Sequence, residues 1–126
     1  MSELAPYLKP AVLSPAQRAS LLTLGPPQVD CAIAVMLKIL DGKCKMPPHE
    51  AAIMTAVYDC VRHRPAHLLG QDSHDMIDTA RAEGVERYRA DVYEARVLAE
   101  TRISRPVMKD FKAGLRRDGI LPRKMV

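Results

Sequence analysis

The most apolar part of the chain is residues 26–42, which have the sequence PPQVDCAIAVMLKILDG. The prolines favour the start of a helix and Asp41-Gly42 favours its end. Asp30 is predicted in the first turn, where the helix dipole favours an acidic side chain. From Cys31 to Leu40 apolar residues occupy nearly every side, which is typical of a helix buried all round, within its own chain or against a partner subunit. We therefore expect this helix to organise the fold.

Proline and glycine divide the rest of the chain into further helices. Ser14-Pro15 predicts a capped helix start, and Pro47-Pro48 predicts another, which should end before Pro65. The expected helices are residues 15–23, 26–40, 48–64, 74–102 and 106–117, with residues 1–13 as an extended arm and 66–72 as a loop. No segment shows the alternation of a strand, so the predicted fold class is all-α, a compact bundle of four to five helices.

The helix predicted over residues 74–102 is long for a small protein. Ser73 is its predicted cap, and apolar residues from Ile77 to Ile103 recur at near-heptad spacing. Ala95 and Ala99 leave room for another helix to approach closely. We expect this helix, with the N-terminal helices, to form the core and a homodimer contact.

Length and composition limit the class of protein. A chain of 126 residues, with 48% apolar and 27% charged residues, is predicted to form a single helical domain. No apolar run approaches the roughly 20 residues needed to span a bilayer, and the N-terminus lacks the pattern of an export signal. The sequence therefore predicts a protein of the cytoplasm without a membrane partner.

Positive charge is concentrated at the end of the chain. Residues 105–126 carry seven basic and two acidic side chains, a net charge of +5, although the whole chain has only +4. Lys109, Lys112 and Arg116 line one face of the last predicted helix, and Phe111 and Leu115 line another. A basic C-terminal helix and tail of this kind can sit against phosphates. The alternative is a solvated basic terminus that keeps the protein soluble.

Residues 97–121 contain a motif that favours the first interpretation. The stretch VLAETRISRPVMKDF, residues 97–111, resembles the second half of a helix-turn-helix DNA-binding unit, in which Ile103 fills the angle between two helices and Ser104 caps the second. The ending of residues 115–121 resembles the close of the recognition helix in winged-helix repressors. The chain differs from the pattern at Leu98, where alanine is usual, and at Arg102, where glycine is usual. An ordinary helix corner is the alternative interpretation.

Charge and resemblance together define the candidate nucleic-acid-binding residues. The resemblance implies that Arg105, Pro106 and Lys109 point toward a major groove of double-stranded DNA. The candidates are Arg102, Ser104, Arg105, Lys109, Lys112, Arg116, Arg117, Arg123 and Lys124.

Other chemistry has little support in the sequence. Cys60 and His63 could share a metal, but Cys44 stands alone and the close paired spacings of zinc sites are missing. A buried thiol at Cys31 and exposed histidines near Arg62 are the preferred interpretation, with Asp59 and His63 as a possible surface pair. No phosphate loop and no working nucleophile with its base is present. We therefore expect no enzyme, no metal and no cofactor.

Two functions follow as hypotheses. The first is a small DNA-binding or regulatory homodimer that acts through its basic C-terminal helix. The second is a helical adaptor or inhibitor that binds another protein, with the apolar helix of residues 29–40 and a methionine-rich surface as its docking face. The ordinary role of methionine is to fill a core.

Overall fold

The computed structural model describes residues 9–41, 46–83 and 102–122, apart from the side chain of Asp41. Within these ranges there are five helices and no strand, so the all-α prediction of four to five helices is confirmed. The helices are α1 (Pro15–Leu21), α2 (Pro26–Asp41), α3 (Pro48–Val61), α4 (Gln71–Glu83) and α5 (Arg105–Arg117).

The centre of the fold is α2, as its composition predicts. Every side chain from Val29 to Leu40 is buried except that of Lys38, which is half-buried. Helices α3, α4 and α5 pack around α2, and α1 packs on α3. The described chain thus covers α2 by itself, because the apolar surface is removed from water by its own neighbouring helices.

Asp30 has a different role from the predicted one. Helix α2 begins at Pro26, so Asp30 lies beyond the first turn, which contains no acidic residue. Its carboxylate is buried and accepts hydrogen bonds from the backbone N–H groups of His67, Leu68 and Leu69, at 2.9–3.1 Å. A buried carboxylate needs such donors. Asp30 therefore fixes the loop between α3 and α4 to the central helix.

The start of α4 is also different from the prediction. The helix begins at Gln71, and Ser73, the predicted cap, is a buried residue within it. The backbone N–H of Ser73 already donates to the carbonyl of Gly70 at 3.1 Å, which places the first helical turn upstream of the serine. The described part of the predicted long helix ends at Glu83. Residues 84–101, which include Leu98 and most of the predicted dimer contact, lie outside the described residues.

The two ends of the described chain meet at α1. Ser14 and Gln17 form a reciprocal capping box, and the side-chain amide of Gln17 also donates to the carbonyl of Gly119 at 3.0 Å. Gly119 has a φ of +74°, which suits glycine and ends α5 as predicted. Within the predicted arm, Ala11 donates to the carbonyl of Ala52 on α3 at 3.0 Å, and Leu13 is buried. Residues 1–8 of the arm and 42–45, with Cys44, lie outside the described residues.

Candidate nucleic-acid interface

Helix α5 is held against α2 by one row of side chains. Met108, Phe111 and Leu115 follow one another at the spacing of a single helix face, and Phe111 and Leu115 are buried while Met108 is half-buried against the core. Ser104 caps the helix, as predicted, because its hydroxyl accepts from the backbone N–H of Val107. Ile120 and Leu121 are buried just after the helix. The orientation of α5 is therefore fixed by packing.

A second row carries the positive charge. It consists of Arg105, Lys109, Lys112 and Arg116, and we call these four residues the basic stripe. Its last three members each follow a residue of the apolar row by one position, and Arg105 lies one turn before Lys109. At 3.6 residues per turn they lie within about 60° of one another, about 100° around α5 from the apolar row, over a length of about 16 Å. Arg105 and Lys109 are exposed, whereas Lys112 and Arg116 are half-buried.

A third row lies opposite the core. It consists of Pro106, Asp110, Ala113 and Arg117, all exposed, and we call it the outer row. It lies about 200° from the apolar row and therefore faces solvent directly. One aspartate and one arginine leave it without net charge.

The nine candidate residues have different environments. Arg102, Ser104 and Arg117 are exposed, like Arg105 and Lys109 of the basic stripe. Arg123 and Lys124 lie outside the described residues. The structure therefore brings four of the nine candidates into one row and sets Arg117 on the neighbouring row.

Three arginines in the body of the protein have internal partners. Arg62 donates two hydrogen bonds of 2.6 Å to Asp78, and Arg81 donates two to Asp59, at 2.7 and 3.2 Å. Arg64 donates to the carbonyl of Leu21 at 3.0 Å. By contrast, no carboxylate in residues 9–41, 46–83 or 102–122 forms an ion pair with Arg105 or Lys109.

Sequence reasoning missed a group of polar contacts between α3 and α4. The hydroxyl of Tyr58 lies 2.7 Å from Nδ1 of His74, both residues are buried, and the Arg62 guanidinium stacks 5.4 Å from the centre of the Tyr58 ring. The expectation of exposed histidines is therefore wrong for His74. Asp59 pairs with Arg81 rather than with His63. The Tyr58–His74 and Asp59–Arg81 partners are 16 and 22 residues apart, so no local spacing signals them.

The surroundings of the polar side chains between α3 and α4 shift their pKa values. Burial, reinforced by Arg62, lowers the pKa of His74 below its ordinary 6.5. Burial of the phenol raises the pKa of Tyr58 to about 12. Hydrogen bonds from Arg62 lower the pKa of Asp78 below its usual value, and the same bonds raise the pKa of Arg62. The lowered pKa favours the neutral form of His74 near pH 7.

An open cleft of about 530 Å³ lies beside this group and is lined by Arg62, His63, Gln71 and His74. Two of these side chains already have hydrogen-bond partners. Arg62 donates to Asp78, and the Gln71 amide donates to Asp75 at 2.9 Å. In the part of the chain that the structure describes, no three His, Cys, Asp or Glu side chains gather where they could hold a metal.

The described cysteines are poorly suited to nucleophilic chemistry. Cys31 is fully buried, as predicted, and burial raises its pKa to about 11. Cys60 is half-buried, and its pKa is also raised by burial. Both thiols therefore stay protonated near neutral pH, and the thiolate is the reactive form.

In the described ranges, the residues suggested as a docking face in the second hypothesis are largely buried. Residues 29–40 lie in the interior, and the described methionines fill the core or pack against it: Met36 and Met54 are fully buried, and Met46, Met76 and Met108 are half-buried. The exposed large apolar side chains in the described ranges are Val12, Leu22, Leu68 and Val107. Docking through α2 would require the core to open.

Comparison of the chain with protein-family models, with curated proteins and with solved structures finds no match. None of the described helices alone has the length and hydropathy to cross a bilayer; α1 and α2 meet these criteria only as a pair that bends by 115°.

Proposed function

We propose that this protein binds duplex DNA through the basic stripe of α5, as a small regulatory protein. The observation that carries the proposal is that Arg105 and Lys109 are exposed on a helix fixed to the core and are unpaired among the described residues. Arg62 and Arg81, by contrast, are paired with Asp78 and Asp59, so their charge is already compensated. Two uncompensated cations on a helix fixed by packing attract phosphates and release their counterions.

The helix-turn-helix resemblance supports the same proposal in part. Ile103 and Phe111 are buried, and Ser104 caps α5, as such a unit requires. The helix that would precede the turn falls in residues 84–101, outside the described residues. A homodimer, which would present two copies of α5, belongs to the proposal and rests on the sequence pattern of that same segment.

The test is binding to a random-sequence fluorescent duplex, followed by anisotropy at about 50 mM and about 200 mM salt. Four phosphate contacts predict a loss of affinity of about 100-fold over this range. The double variant Arg105→Gln/Lys109→Gln should weaken binding at the lower salt concentration by at least about tenfold. Light scattering on the same samples measures the mass and hence tests the dimer.

The matched control is Lys9→Gln/Arg18→Gln, which removes the same charge from exposed positions outside α5. If both double variants lose affinity equally, the net charge of the protein and not α5 drives binding. If the unaltered protein binds no duplex at the lower salt concentration, the proposed function is wrong.

A further inference from the structure

We infer that α5 holds the phosphate backbone of the duplex and does not read its bases, so that binding is independent of sequence. This inference rests on the proposed function and goes beyond it, because the helix-turn-helix resemblance alone implies base contacts in the major groove.

The outer row is poorly equipped to read bases. A recognition helix reads the groove with hydrogen-bonding side chains on the face that enters it, most often arginine, lysine, asparagine or glutamine. In α5 the face opposite the core presents Pro106 and Ala113, which have no hydrogen-bonding side chain, and Asp110, which phosphates repel on entry. Arg117 stands alone at the end of the row. The row that would enter the groove thus offers few base contacts.

The basic stripe is positioned for the backbone instead. It lies on the flank of α5, about 100° from the apolar row, where the helix meets the body of the protein. Lys112 and Arg116 are half-buried there, so their stems lie along the surface while Arg105 and Lys109 extend into solvent. Over its length of about 16 Å the stripe can contact more than one phosphate.

Two details near the basic stripe favour phosphate contacts by side chains over contacts by the backbone at the start of α5. At the start of α5 the N–H of Val107 is taken by Ser104 and Pro106 has none, so the helix end has little to offer a phosphate. At the other end, Nε of Arg116 is buried without a hydrogen-bond partner, the one such side-chain atom among the described residues. A guanidinium can bind a phosphate through two N–H groups. A shift of the Arg116 side chain toward the strand would therefore give its Nε–H a phosphate oxygen as acceptor.

The experiment selects bound duplexes from a random pool by filter retention, sequences them and measures the salt dependence of binding. We expect a bound pool with the composition of the input. Arg105→Gln and Lys109→Gln should each reduce the slope of log affinity against log salt by about 1. The outer-row variants Arg117→Lys, which keeps the charge but removes the guanidinium, and Ala113→Ser should change affinity by less than about twofold. Circular dichroism confirms that each variant retains its helices.

The outcomes separate the inference from the proposed function. Enrichment of one motif by about 1,000-fold or more, lost in the outer-row variants, overturns phosphate-only contact and leaves duplex binding intact. The inference is also overturned if neither stripe variant changes the slope of log affinity against log salt and both retain their affinity, because the DNA contact then lies elsewhere. If the unaltered protein binds no duplex at low salt, the proposed function is wrong, and the inference is wrong with it.

Discussion

The hydroxyl of Tyr58 on α3 lies 2.7 Å from Nδ1 of His74 on α4, and this buried hydrogen bond links two helices that both pack on α2. Because the pKa of Tyr58 is raised to about 12, the phenol keeps its proton near pH 7. Either partner can supply the proton of the hydrogen bond, depending on which ring nitrogen of His74 carries a hydrogen. Burial of the His74 ring disfavours its charged form.

Stability should consequently fall in mildly acidic solution. The pKa of His74 is lower in the folded protein than its ordinary 6.5, so the unfolded chain binds the proton more readily. The free energy of unfolding is fully maintained above about pH 6.5 and decreases as the pH falls through that value. Urea unfolding at intervals between about pH 8 and about pH 5 measures the decrease.

A matched pair of variants assigns this decrease to one histidine. His74→Gln should flatten the profile over that range, whereas His63→Gln, at an exposed position on the same cleft, should leave most of the decrease in place, because His63 contributes least to the lowered pKa of His74. A profile that keeps its decrease without His74 would show that another group titrates.

Removing the Tyr58 hydroxyl tests the hydrogen bond itself. Tyr58→Phe keeps the buried ring and its stacking with Arg62 but leaves the His74 nitrogen without its hydrogen-bond partner. We expect the free energy of unfolding to fall by about 1–2 kcal/mol. The variant should also change the pKa of His74, which NMR titration of the ring protons measures. No change in either quantity contradicts the assigned role.

The sequence predicts those parts of the fold that depend on near neighbours. The burial of α2 follows from its apolar composition, and the two faces of α5 follow from helical spacing with Ser104 and Gly119 at its ends. Ser73 misleads because a serine before a helical pattern is a plausible cap, although Gly70 provides an earlier start. Four of the duplex-binding candidates share one row of α5 because their spacing in the sequence follows the period of the helix.

Contacts across the fold are beyond such reasoning. Asp30 looks like a helix-start residue, yet its donors are 37 to 39 positions away along the chain. The Tyr58–His74 bond depends on how α3 and α4 are placed around α2, which no spacing within either helix determines. In the structure, Asp30, Tyr58 and His74 are buried and connect separate parts of the fold.

Asp30 should be among the most sensitive polar positions. Asp30→Ala removes the acceptor of three backbone N–H groups, of which that of Leu69 is buried. An unsatisfied buried donor costs about 1–3 kcal/mol, so we expect a loss of about 3 kcal/mol or more in total. Hydrogen exchange at Leu68 and Leu69 should accelerate to the rate of exposed amides. Asp110→Asn, an exposed substitution on α5, should have little effect on either measurement and serves as the control.

The two serine caps should differ in strength. Ser14 accepts from Gln17 N–H at 3.1 Å and receives the reciprocal bond, in which its own N–H donates to Gln17 Oε1 at 2.8 Å. The corresponding bond of Ser104 is a single contact of 3.5 Å to Val107 N–H. We expect Ser14→Ala to reduce the free energy of unfolding by about 1 kcal/mol and Ser104→Ala by about 0.5 kcal/mol, because a long hydrogen bond is weak. Urea unfolding of both variants beside the unaltered protein measures the difference. A larger loss for Ser104→Ala would mean that the start of α5 depends on its cap more than on the packing of Phe111 and Leu115.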